Sequence, residues 1–232
     1  MRIGGTVFAV VVALLAAPAW AQGSAMPAWT PHEVPAAAAA LRSIAPAQLP
    51  RASDPDGFVA RISDPATMNY CRDRRRNVQM RLQTCLTAFQ ATLEVGNLYA
   101  GLLESDPTRG DDVMRVVEGL LRGADVLLEV SNEFIPTLDQ NAPDYAQRLA
   151  GLQQARNGIV VMLRGAIMML NERDAFPESA RLRFAGVLAE IFDRVTTEAP
   201  AEQRAELQGA LRDVALTDPS ADIRAALAQF AG

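Results

Sequence analysis

Aspartate followed by proline recurs along this chain, at Asp54-Pro55, Asp64-Pro65, Asp106-Pro107 and Asp218-Pro219, each time with a serine or threonine in front. An Asp side chain accepts from the free N–H groups of a first helical turn. Proline at the next position has no N–H to orphan and a φ already suited to a helix. Each pair therefore predicts a helix start. Ala142-Pro143-Asp144, Phe176-Pro177-Glu178 and Ala199-Pro200 punctuate the remainder similarly, with acids in the first turn, where the helix dipole favours them.

The segments between these marks predict helices near residues 65–104, 108–134, 143–172, 177–197, 201–215 and 220–230. Apolar residues fall at helical intervals within them, for example Val78, Leu82, Cys85, Phe89 and Leu93, or Leu182, Val187, Leu188, Ile191 and Val195. No alternating run predicts a strand. The short connections favour antiparallel neighbours, so the expected fold is all-α, an antiparallel bundle of about six helices. IVVMLRGAIMML, residues 159–170, is apolar on nearly every side and is expected to be the central, most buried helix, with Arg164 reaching the rim or a carboxylate. The helix starts at 64, 106, 143 and 177 are nearly periodic, and the tail TDPSADIRAALAQF resembles the second helix of a HEAT-type repeat over about 14 residues. A short HEAT-like α-solenoid is thus the alternative architecture.

Upstream of the helices, Arg2, the apolar VFAVVVALLAA and Ala19-Trp20-Ala21 have the parts of a signal peptide over residues 1–21, cleaved after Ala21. The apolar run is interrupted by Pro18 and is shorter than the roughly 20 residues that span a bilayer, so no transmembrane segment is expected after cleavage. Residues 22–52 are rich in Pro and Ala and read as a flexible leader with one short helix around residues 36–44, leaving 53–232 as a single all-α domain. The expected location is periplasmic or secreted, in a Gram-negative bacterium.

Export makes the two cysteines, Cys71 and Cys85, candidates for a disulfide. No Gly or Pro lies between Ala66 and Val95, so propensity favours one unbroken helix there. Residues 14 apart on such a helix sit about 21 Å apart, whereas a disulfide needs Cα atoms within about 7 Å. Three arrangements resolve the conflict. The helix could start late, near Asn77, with residues 72–76 doubling back as a loop; the linking residues reach up to about 20 Å against about 12 Å of helix. An intact helix could pair the cysteines between two chains of a homodimer. The cysteines could also be free and buried.

Arg72, Arg74, Arg75, Arg76 and Arg81 gather in this same stretch as the chain's one dense run of positive charge, a candidate binding patch for an acidic protein or an anionic envelope component. A solvated face neutralised by Asp73 and neighbouring acidic helices is the plainer reading. Net charge is −5 and all 22 basic residues are arginines, which argues against a nucleic-acid partner and removes Schiff-base, P-loop and Ser-Lys chemistry. The single histidine, His32, lies in the leader, so Ser-His, Cys-His and zinc chemistry are not expected, and no metal or cofactor is. DPDG at 54–57 reads as a turn, Arg109-Gly110-Asp111 as a chance tripeptide, and Met162, Met168 and Met169 as core.

These features predict a non-catalytic protein that binds a macromolecular partner, in an adaptor, inhibitor or immunity-type role. Two alternatives stand beside it. A carboxylate-dependent cell-wall glycan hydrolase would need two acids facing across a cleft. A periplasmic stress chaperone is suggested by APAEQRAEL at 199–207, which resembles helix-start motifs of that class, although Pro near the helix start followed by Glu explains the segment on its own.

Overall fold

A computed structural model describes residues 28–197 and 199–232, so the expected signal peptide and the first part of the leader lie outside the described residues. The described residues form helices α1 (Val34–Leu41), α2 (Phe58–Ile62), α3 (Asn69–Arg72), α4 (Val78–Leu103), α5 (Gly110–Phe134), α6 (Tyr145–Met169), α7 (Glu178–Thr196), α8 (Ala201–Thr217) and α9 (Ala221–Ala226), joined by short 3-10 turns and containing no strand. None of these helices is long and apolar enough to cross a membrane.

The Asp-Pro signal works as expected at two of its four sites. Asp64 accepts from the Ala66 N–H at 2.8 Å and Asp106 from the Thr108 N–H at 3.1 Å, each opening a 3-10 turn that feeds the next helix. At the other two sites the pair closes a turn, and the helix begins a few residues later. Asp54 accepts from the Asp56 N–H ahead of α2, and Asp218 accepts from the Ser220 N–H ahead of α9, where Ser220 is the cap.

α5 occupies the centre of the bundle and packs against α2, α3, α4, α6 and α7. α5 also carries α7, two helices further along the chain, so the described helices pack as an all-α bundle. Buried residues cover most of α5, from Val113, Met114 and Val116 to Leu127, Leu128 and Val130, and leave one half-exposed stripe at Asp111, Arg115, Arg122 and Glu129. The chain also approaches it closely: a Cβ on Gly119 would stand 2.8 Å from the Ile62 carbonyl, and one on Gly110 would strike the Ala175 carbonyl.

This overturns the expectation that residues 159–170 form the central helix. In α6 only Ile159, Leu163, Ala166 and Ile167 are buried, while Val161 is 71 % exposed and Met168 60 %. Its apolar residues point to all sides, but neighbours cover one. α5 has the opposite character, since its buried Asp112, Glu118 and Asp125 are each met by guanidinium groups. Arg109 reaches Asp112 at 2.9 Å, Arg183 reaches Glu118 at 2.7 Å, and Arg72 and Arg194 reach Asp125 at 3.0 and 2.8 Å. Paired in this way, carboxylates can be buried without an uncompensated charge.

Part of the leader is also drawn into the bundle. α1 lies on α4 and buries Val34, Ala38 and Leu41, and Leu49 is buried further on. Buried Arg109 donates to the carbonyls of Leu49 and Pro50 at 3.0 and 3.2 Å, and the Tyr99 hydroxyl donates to Pro50 at 2.8 Å. Residues 34–52 are thus fastened to the body, where composition alone suggested a tether. Arg109-Gly110-Asp111 is a structural element here: its arginine is buried and its glycine faces backbone.

Candidate functional site

The segment between the cysteines takes the first of the three expected arrangements. α3 ends at Arg72, α4 begins at Val78, and Cys71 and Cys85 of one chain lie at disulfide distance, with Cα atoms 6.1 Å apart. Asp73 is the residue that breaks the helix. Its backbone is extended, and its carboxylate accepts from the Arg75 N–H at 3.2 Å, an Asx turn that competes with helical hydrogen bonding. Asn77 then caps α4 by accepting from the Met80 N–H at 3.1 Å.

The five arginines do come together, but as half of an ion-pair network. α5 supplies Asp125, Glu129 and Glu133, spaced four apart on one face. Arg72 reaches Asp125 and Glu129 (3.0 and 3.8 Å), Arg74 reaches Glu129 and Glu133 (3.2 and 3.0 Å), and Arg81 reaches Glu133 (2.7 Å). Arg75 and Arg76 share Asp73, whose carboxyl is held below its usual range first by the hydrogen bond from Arg75. Arg76 also lies over the Tyr70 ring at 4.4 Å. Arg81 is buried, so it stands outside any surface patch, and Arg75, 90 % exposed, is the most accessible of the five. The plainer reading of this stretch, positive charge neutralised by acidic neighbours, describes the geometry better than a free cationic patch does.

A different feature is left open by the described residues. α4 and α6 run parallel with a trough between them, and α5 is its floor. At one end Leu82 and Leu86 face Arg148, Gly151, Leu152 and Ala155; further along Leu86, Phe89 and Leu93 face Ala155, Gly158, Ile159 and Met162. These two stretches have cavity volumes of about 340 and 320 Å³ and share Leu86, Leu127 and Ala155, so they are continuous. A third stretch of about 340 Å³ continues the trough past Phe134 and Arg148 to a polar mouth lined by Asn77, Gln79, Asp139 and Asp144.

Both walls carry the 4-3-4 spacing of a coiled-coil seam, at 82, 86, 89 and 93 in α4 and at 151, 155, 158 and 162 in α6. The α4 wall is large and the α6 wall small, because Gly151, Ala155 and Gly158 stand where bulk would fill the space. Among the described residues nothing lies within 4 Å of a Cβ added at Gly151 or Gly158, so no contact there explains them. No residue from 145 to 158 is buried, and Leu93 is 41 % exposed.

Acid–base chemistry finds less support. Asp64 and Glu118 line a polar cleft of about 420 Å³ with Arg115, Arg122 and Arg183. Burial pushes the Glu118 carboxyl up, and Arg183 opposes that shift by holding it. Asp64 is occupied as the cap on Ala66. Neither is a free acid facing a partner. His32 sits edge-on to Tyr70 with ring centroids 4.5 Å apart, and no group of three or more His, Cys, Asp or Glu among the described residues is placed to hold a metal ion.

The helical interval shared by Leu82, Cys85, Phe89 and Leu93 does not separate core from trough: Cys85 is buried, Leu82 and Phe89 are half-buried against the core and also line the trough, and Leu93 is 41 % exposed beside it. The available signal was the matched 4-3-4 spacing in two segments, one of them carrying glycines in mid-helix. The chain matches no family model, no curated protein and no solved structure, so these side chains alone carry the functional reading.

Proposed function

We propose that this protein is a non-catalytic binding module that receives an amphipathic helix of a partner protein in the trough between α4 and α6. The observation that carries the reading is the pair of facing seams, Leu82, Leu86, Phe89 and Leu93 against Gly151, Ala155, Gly158 and Met162, with no helix between them among the described residues. From Val78 to Leu93 the trough is about 22 Å long, which suits about four turns of helix. A helix laid there would place apolar residues at i, i+3, i+4 and i+7 against Leu127 and both walls. Gly151 and Gly158 lower one wall for close approach, while each costs α6 about 1 kcal/mol relative to alanine. The pattern of residues 1–21 supports a periplasmic or secreted setting for this binding.

Gly158→Leu tests the reading, because leucine there extends into the trough from an open position and is a better helix former than glycine. The probe is a fluorescent, end-capped peptide of about 15 residues with leucines at coiled-coil spacing, titrated by anisotropy. Wild type is expected to bind, and Gly158→Leu to bind at least about tenfold more weakly with an unchanged or higher thermal midpoint, a loss of about 1.4 kcal/mol in binding. Equal binding by both proteins would overturn the proposal. So would a wild-type dimer that Gly158→Leu dissociates, which would assign the trough to a second copy of this chain.

A further inference from the structure

The mouth of the trough also biases how an occupant lies. We infer that the trough prefers its helix in one direction, antiparallel to α4 and α6, with a basic last turn of the bound helix seated at Asp139; this rests on the proposed function. The α4 and α6 N-termini both open at that mouth, since Val78, Gln79 and Tyr145 line it. Two parallel helices present two positive dipole ends there, and the carbonyl end of a third helix is the complementary one.

The charged side chains lining the mouth point the same way. They are Asp139, Asp144 and Arg148, and Arg148 is already held by Asp144 at 2.7 Å. Among the described residues Asp139 has no cationic partner; its carboxylate accepts only the Asn141 N–H, at 2.9 Å. Asp139 therefore offers a carboxylate with no ion-pair partner among the described residues where the bound helix would end. Lysine or arginine in the last turn of a helix offsets that helix's own dipole and would meet Asp139 at the same time. Away from the mouth the trough is apolar, with Leu82, Leu86, Phe89 and Leu93 on one wall, so charge on the inner face of the partner is confined to this end.

Two end-capped peptides of one composition test the inference. Both carry leucines at coiled-coil spacing; one has two arginines in its last turn, the other has them in its first. The first is expected to bind wild type about fivefold more tightly. Asp139→Asn keeps the acceptor for the Asn141 N–H and is expected to shrink that preference to about twofold, as is high salt. Equal binding of the two peptides, or a preference for the second, overturns the inference; if Gly158→Leu still weakens both, the trough remains a helix site without polarity. If Gly158→Leu weakens neither, the proposed function fails and the inference with it. A preference that survives Asp139→Asn unchanged assigns it to other groups and also overturns the inference.

Discussion

α5 and α6 each run 25 residues, yet α5, dotted with acids and arginines, lies at the centre of the bundle, while α6, with its long apolar run, lies at the side. The difference teaches that burial follows the partners a helix finds and not its own hydropathy. α5 can be interior because arginines from elsewhere in the chain meet its carboxylates: Arg109 from the turn before it, Arg72 from α3, and Arg183 and Arg194 from α7. α6 meets α5, α7 and α8 along one face, chiefly through its second half, and its first half borders the trough. The apolar side chains it leaves uncovered are what a binding surface needs.

Three measurements would break or sharpen this comparison. The largest expected effect is in α5. Leu121→Ala removes a fully buried side chain and is expected to cost about 2–5 kcal/mol by denaturant unfolding, whereas Val161→Ala in α6 should stay within about 0.5 kcal/mol. Similar losses at the two sites would mean that α6 is covered after all.

A smaller effect of opposite sign is expected at Gly165, on a part of α6 where an added Cβ meets nothing within 4 Å. Gly165→Ala should raise stability by about 0.5–1 kcal/mol, seen as a higher thermal midpoint. A drop would place an unrecognised neighbour over that face.

The subtlest expected difference is the pH dependence contributed by Glu118. Its carboxyl is raised above the ordinary glutamate value of 4.5, first by burial, so the folded chain holds this proton more tightly than the unfolded chain. The stability contributed by that proton is complete below pH 4.5 and is lost as pH rises through the raised value. Asp73 and Asp106, held low by hydrogen bonds from Arg75 and Thr108, contribute with the opposite sign and lose their stabilisation at lower pH. Stability measured across mildly acidic pH, wild type minus Glu118→Gln, should therefore fall with rising pH. A difference curve that is flat or rises would show that ion pairing dominates burial at Glu118.

Much of the secondary structure was legible because its causes are local. The expected helices at 108–134, 177–197 and 201–215 lie within a few residues of α5, α7 and α8, since proline, capping acids and apolar spacing act over one or two turns. The break at Asp73 was harder to read. An Asx turn and an Asn cap override a stretch with no Gly or Pro, and only the distance that two cysteines must close pointed to it. The five arginines could be named from the sequence, but their neutralisation could not, because Asp125, Glu129 and Glu133 lie about fifty residues away on α5.

By itself, the sequence determined that the chain is helical, where most helices begin, that Cys71 and Cys85 had to be reconciled with a helix, and that lysine chemistry was absent. Tertiary structure alone decided which helix became the interior, which arginines were spent on carboxylates, and which apolar face stayed open. The physical reason is range. Capping and periodicity are settled between residues a turn apart, whereas burial and charge pairing depend on contacts such as Arg183 with Glu118, 65 residues apart in sequence, which exist only once the bundle has closed.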